Sequence, residues 1–200
     1  MKQQTEGVTE SIISAARKEF LVSGYLNASL RKISGECNVS THTIYTRFKD
    51  KEGLLDAVVS ESAQALMSIY ELAVREIKPE DSISESEKKS DEGTNNVLSF
   101  IYEHFEDFKI IICKASGTKY ENYMDQLIKQ EEESYKRIVG QIGSDKKVSD
   151  FFIHSLAASG FNAIAEAVSH DLTLQEAKSF MKLQGIYNYG GVEALLKLQK

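Results

Sequence analysis

Between Thr41 and Lys51, seven side chains (Thr41, His42, Thr43, Tyr45, Thr46, Arg47 and Lys51) place hydroxyls, an imidazole, a phenol and two cations within eleven residues. Hydroxyls and imidazoles exchange hydrogen bonds with base edges, and cations neutralise phosphates, so the chemistry on offer is recognition of a nucleic acid. Such groups act together only from a shared face. Ile44 and Phe48 lie four apart and define the inward side of a helix. Thr41, His42, Tyr45 and Thr46 then occupy the opposite side, with Thr43 and Arg47 on its margins. A helix of that make-up suits a major groove.

The element carrying those groups needs a frame. Ile33 and Cys37 also lie four apart, and Val39 sits at a corner, so Ser29 to Leu55 reads as two short helices joined by a tight turn and followed by a third helix start. The turn falls at Cys37-Asn38-Val39. Asn38 stands where a positive φ is expected, which its short polar side chain tolerates. Ser40 is expected to cap the second helix, and Asn27 or Ser29 the first. Lys51 opens the next helix, whose N-terminal amides can also bind phosphate.

Together with the upstream helix Ile12 to Tyr25, the run LRKISGECNVSTHTIYTRFKDKEGLL resembles the DNA-binding domain of the TetR family of transcriptional regulators over roughly the first 55 residues. The matching marks are Ala15-Ala16, Phe20, Gly24-Tyr25, Leu30, Ile33, Val39-Ser40, Thr43-Ile44-Tyr45, Phe48 and Lys51-Glu52. Three residues depart from the usual pattern: Ala28 replaces a Thr, Asn38 a Gly and His42 a frequent Gly. Carried onto this chain, the resemblance puts Thr41, His42, Thr43 and Thr46 at base edges and Tyr45, Arg47 and Lys51 at phosphates. It implies a repressor released from a palindromic operator by a small molecule bound in the C-terminal domain.

Composition agrees with a soluble all-α chain. Its 200 residues include one Pro and no Trp, with apolar residues in helical period almost throughout and no convincing strand. Charge is uneven: residues 1–52 carry 8 Lys and Arg against 6 Asp and Glu, while residues 53–200 carry 16 against 24. An acidic remainder is compatible with nucleic-acid binding, because only the contact surface must be basic. The first residues, MKQQTEGVTE, hold no apolar run, and the apolar stretch Phe151 to Val168 contains His154, Asn162 and Glu166, so neither a signal peptide nor a membrane span is predicted and the expected location is cytoplasmic. Two cysteines there are expected to be reduced and structural. No histidines, cysteines or carboxylates share metal-ligand spacing, so neither metal nor cofactor is expected. No nucleophile elbow, phosphate loop or zinc-protease motif appears, which argues against an enzyme.

Residues 1–52 are thus expected to form a three-helix DNA-binding domain and residues 53–200 a helical bundle for ligand binding and dimerisation. A linker helix over about 50–77 joins them and ends before Pro79. Residues 79–95 are nearly free of apolar residues and read as a flexible loop. Val97 to Lys114 and Tyr120 to Ile142 carry broad apolar stripes rich in aromatics. Phe105, Phe108, Tyr123, Tyr135 and Phe161 are the candidate walls of a pocket, with His104 and Glu131 as its polar groups; bundle core is the competing reading for each. Val148 to Ser169, rich in small residues, and Leu174 to Leu198, capped by Asp171 or Thr173, form the candidate dimer helices, with an internal core face as the alternative. A second functional reading is a helix-turn-helix regulator controlled by a protein partner or by dimerisation alone, without a small ligand.

Overall fold

A computed structural model of the protein describes residues 2–78, 80–139 and 149–197. They form helices α1 (Lys2–Asn27), α2 (Leu30–Glu36), α3 (Thr41–Phe48), α4 (Lys51–Glu76), α5 (Ile83–Glu103), α6 (Phe105–Cys113), α7 (Tyr123–Val139), α8 (Asp150–Ser169) and α9 (Leu174–Lys197), with no strand among them. The chain divides into two compact units, each discontinuous in sequence. One comprises Met1–Ala65 and His104–Tyr123, the other Leu66–Glu103 and Met124–Lys200. Residues beyond the first 52 therefore belong to the first unit, because α6 packs on α1.

In that unit, α1 buries Ile12, Ala15, Ala16, Glu19 and Phe20, an apolar stripe of 3.6-residue period interrupted only by Glu19. Gly24 breaks the helix with φ 69°, a conformation that costs glycine little, and the following Tyr25 amide donates to the Lys114 carbonyl at 2.8 Å. Ser29 caps α2, accepting from the Lys32 amide. Asp107 of α6 is buried and takes the Arg17 Nε and the Ser62 hydroxyl, each at 2.7 Å, so α1, α4 and α6 meet on one carboxylate.

In the second unit, α9 packs against α5 and α8. Polarity alone misplaced the segment 79–95, which is helical from Ile83 onward. A reciprocal cap explains its start: the Ser82 amide and hydroxyl both donate to the Glu85 carboxylate, and the Glu85 amide donates back to the Ser82 hydroxyl. Val97, Leu98 and Ile101 bury its far end. The stripe expected to continue to Lys114 is broken at His104 (φ −114°, ψ 38°), which starts α6 in the other unit. Likewise Tyr120 precedes α7 and lies in a turn, and residues 140–142 of that expected segment fall outside the described residues. Of the two candidate caps for α9, Thr173 forms the reciprocal pair with Glu176, while Asp171 takes the turn itself at φ 54°. Helix α8 is long and apolar enough to cross a bilayer, yet seven of its side chains, Ile153 to Val168, are buried in the protein.

Candidate nucleic-acid interface and ligand cavity

The turn before α3 has the expected form: Asn38 sits at φ 53°, and the Ser40 hydroxyl accepts from the Thr43 amide at 3.2 Å. With Ile44 wholly buried, the opposite face is turned outward: His42 and Thr46 are exposed, and Tyr45 is 50% exposed. Thr41 and Thr43 are half-buried at its margin. The hydroxyls are already oriented. Thr46 donates to the His42 carbonyl at 2.9 Å, which leaves its oxygen free to accept, while Thr43 and Ser40 share a bond of 3.0 Å. Thr9 of α1 joins His42, Thr43, Thr46, Arg47 and Phe48 around an open groove beside α3.

The two cations expected at phosphates are both partly engaged. Arg47 donates from Nη1 to the Thr9 hydroxyl at 3.1 Å, and its Nε is buried with no partner among the described residues. Lys51 reaches back to the Leu26 and Ala28 carbonyls at 3.1 and 3.4 Å, and its ammonium lies 4.7 Å from the centre of the Tyr25 ring. The charge there holds the end of α1 as well as facing solvent. Sequence reasoning also missed Gly53, where an added Cβ would lie 2.0 Å from the Phe48 carbonyl oxygen. At that spot the first turn of α4, capped by Asp50, crosses the end of α3 too closely for any side chain. Cys37 is the residue after α2 and its thiol meets the Ser11 carbonyl at 3.3 Å; both cysteines are free thiols.

The second unit contains a cavity of about 90 Å³, several times the ~10–15 Å³ that one water needs. Of the expected pocket residues, Glu131, Tyr135 and Phe161 line it. His104, Phe105, Phe108 and Tyr123 do not: all four belong to the first unit, the first three because the chain breaks at His104 to start α6. There Phe108 is fully buried, and Tyr123 donates its hydroxyl to the Ala63 carbonyl at 2.9 Å. The walls that sequence reasoning missed come from α4 (Tyr70, Val74), α5 (Lys89, Thr94) and α9 (Met181). Tyr70, four residues after the buried Leu66, was on an apolar stripe and therefore findable; Lys89 lay in the segment taken for a loop. Tyr70 donates its hydroxyl to the Glu131 carboxylate, and its ring meets Phe161 edge-on at 5.1 Å. Burial foremost, then the neighbouring Glu131 charge, push the Tyr70 hydroxyl far above its ordinary pKa, so it remains a neutral donor.

The family model for bacterial regulatory proteins of the tetR family matches residues 12–58, the stretch that forms α1, α2, α3 and the start of α4. The HTH-type transcriptional regulator UidR of Escherichia coli (strain K12) is 27% identical over 70 residues, which cover 35% of this chain and 36% of that regulator. Solved structures extend the likeness in fold. A TetR-like transcriptional regulator from Rhodococcus sp. RHA1 shares 16% identity with a TM-score of 0.63, covering 93% of this chain and 96% of that one. SmeT, the repressor of the Stenotrophomonas maltophilia multidrug efflux pump SmeDEF, shares 16% identity with a TM-score of 0.62, covering 90% and 88%. With the outward-facing α3 held on its Ser40 cap, residues 12–58 match the model of bacterial regulatory proteins of the tetR family, and the helical fold along most of the chain is the one seen in TetR-like transcriptional regulators.

Proposed function

We propose that this DNA-binding regulator is a homodimeric repressor, acting in the cytoplasm, whose α3 reads a palindromic operator and whose second unit takes a small-molecule effector that weakens the operator complex. The tetR-family match over residues 12–58 supports a DNA-binding regulator and not an enzyme. The observation that supports the reading is the polar outer face of α3, with His42, Tyr45 and Thr46 exposed and Thr41, Thr43 and Arg47 half-buried; on this reading Thr41, His42, Thr43 and Thr46 meet base edges, and Tyr45, Arg47 and Lys51 meet phosphates. The cavity lined by Tyr70, Glu131 and Phe161 supports an effector, since a partly polar hollow in a helical bundle is where ligands of this size bind. Dimerisation is supported by apolar side chains left in solvent: Leu183 is 68% and Tyr187 76% exposed on α9, and Phe151 79% exposed on α8. Repression has support in the fold shared with SmeT, which is itself a repressor.

An effector can act only to the extent that it prefers the conformation unable to bind DNA. Coupling is reciprocal, so a ligand that loosens the operator must itself be held less tightly by the DNA-bound protein. The test is fluorescence anisotropy with duplexes from the region flanking the protein's own gene, titrated with and without a cavity ligand. Tight, salt-dependent binding that weakens when the ligand is present supports the reading. A ligand that fills the cavity and leaves operator affinity unchanged would sink the effector mechanism while leaving DNA binding in place.

A further inference from the structure

Two arginines of the first unit, one on α1 and one on α3, are held in opposite ways. Arg17 gives its Nε to the buried Asp107 carboxylate at 2.7 Å, so its charge is matched inside the protein. Arg47, in the last turn of α3, has no ion pair among the described residues. Its Nη1 donates to the hydroxyl of Thr9 on α1 at 3.1 Å, and its Nε is buried, so the guanidinium is gripped at two of its three nitrogens. A neutral hydroxyl fixes that group without cancelling its charge. Nη2 has no partner among the described residues, and the side chain lines the open groove that it shares with His42, Thr43 and Thr46.

A long cation that becomes ordered only on meeting DNA loses its rotamer freedom at that moment, and the complex is weaker by that loss. A cation tied in place beforehand has already lost it. We propose that Thr9 is a positioning residue for DNA binding, whose hydroxyl orients the Arg47 guanidinium toward a phosphate of the duplex before the duplex arrives. This inference rests on the reading above that Arg47 meets a phosphate, and it adds the residue that aims it, 38 positions away in the sequence. Helix α1 thereby takes part in recognition through a side chain that need not itself touch DNA.

The test is a double-mutant cycle on the full chain, read by fluorescence anisotropy with the duplex that the native chain enriches from a random pool. Thr9→Val keeps the shape and removes the acceptor, so it should weaken binding about fivefold. Thr9→Ser restores the acceptor and should bind as the native chain does. Arg47→Ala should weaken binding and flatten the slope of log affinity against log salt by about one unit. In the Arg47→Ala background, Thr9→Val should cost nothing further. Native affinity for Thr9→Val would overturn the positioning role and leave Arg47 at its phosphate. An equal loss from Thr9→Val with and without Arg47 would also overturn it, because Thr9 would then act by another route. An unchanged salt slope for Arg47→Ala would remove Arg47 from the phosphates and overturn both readings, as would a native chain that enriches no duplex.

Discussion

At the scale of single residues, Lys51 joins a structural contact that the fold contains to a phosphate contact that is proposed for it. Lys51 holds the Leu26 and Ala28 carbonyls, so Lys51→Ala should cost about 1–2 kcal/mol of stability as lost charge-assisted hydrogen bonds, read from urea unfolding. If its ammonium also meets a phosphate, the slope of log affinity against log salt should flatten by about one unit. An unchanged slope would make it purely a structural clasp. His42 has no such double duty, being exposed on the outer face of α3. His42→Ala should shift base preference or cost about 1–3 kcal/mol of operator binding, and identical selectivity in a binding selection would make it a bystander. Glu19 links residue to pH. The Lys32 ammonium, 2.5 Å away, is foremost in holding its carboxyl below the usual range, helped by the Ser29 amide and the Ser23 hydroxyl. A carboxyl depressed on folding stabilises above its unfolded pKa of about 4.3 and loses that contribution as pH falls through the lower folded value. Glu19→Gln should therefore be less stable at neutral pH and fall less steeply below about pH 4. Parallel unfolding curves for the two proteins across that range would contradict the assignment.

At the scale of elements, closeness of backbone matters as much as apolar patterning. An alanine Cβ at position 53 would sit 2.0 Å from the Phe48 carbonyl, so Gly53→Ala should displace the start of α4 and cost at least about 2 kcal/mol, seen as a lowered melting midpoint with weakened DNA binding. An unchanged midpoint would mean that the α3–α4 corner yields freely. That constraint was invisible in the sequence, where Gly53 follows a capped helix start and looks replaceable. The helix-turn-helix itself was legible because Ile33, Ile44, Asn38 and Ser40 each act locally: apolar spacing, a positive φ and a cap need no knowledge of distant chain. Helix α5 was not, since its first turns are polar and its order depends on the Ser82–Glu85 cap and on burial of Val97, Leu98 and Ile101 much later. The break at His104 was hidden for the opposite reason: the apolar stripe continues across it without change of period, so spacing alone could not divide α5 from α6. That break moved Phe105 and Phe108 away from the cavity, and Tyr123, at the start of α7, is held in the first unit by its bond to the Ala63 carbonyl.

At the scale of the whole molecule, the proposed dimer would cover apolar side chains that α9 leaves in solvent, among them Leu183 and Tyr187. Leu183→Glu on α9 should leave the chain folded and shift it to monomer in sedimentation, with operator affinity falling because only one half-site is then engaged per molecule. A dimer that survives the substitution would place the interface elsewhere. The central claim, that α3 of two copies reads a palindrome, is tested most directly by selecting bound duplexes from a random pool with the purified protein. The expected result is enrichment of an inverted repeat whose half-sites are centred about 34–36 Å apart on one face of the duplex, lost when His42 and Thr43 are replaced by alanine. A pool that stays unenriched, or converges on a single unrepeated site indifferent to those residues, would contradict it.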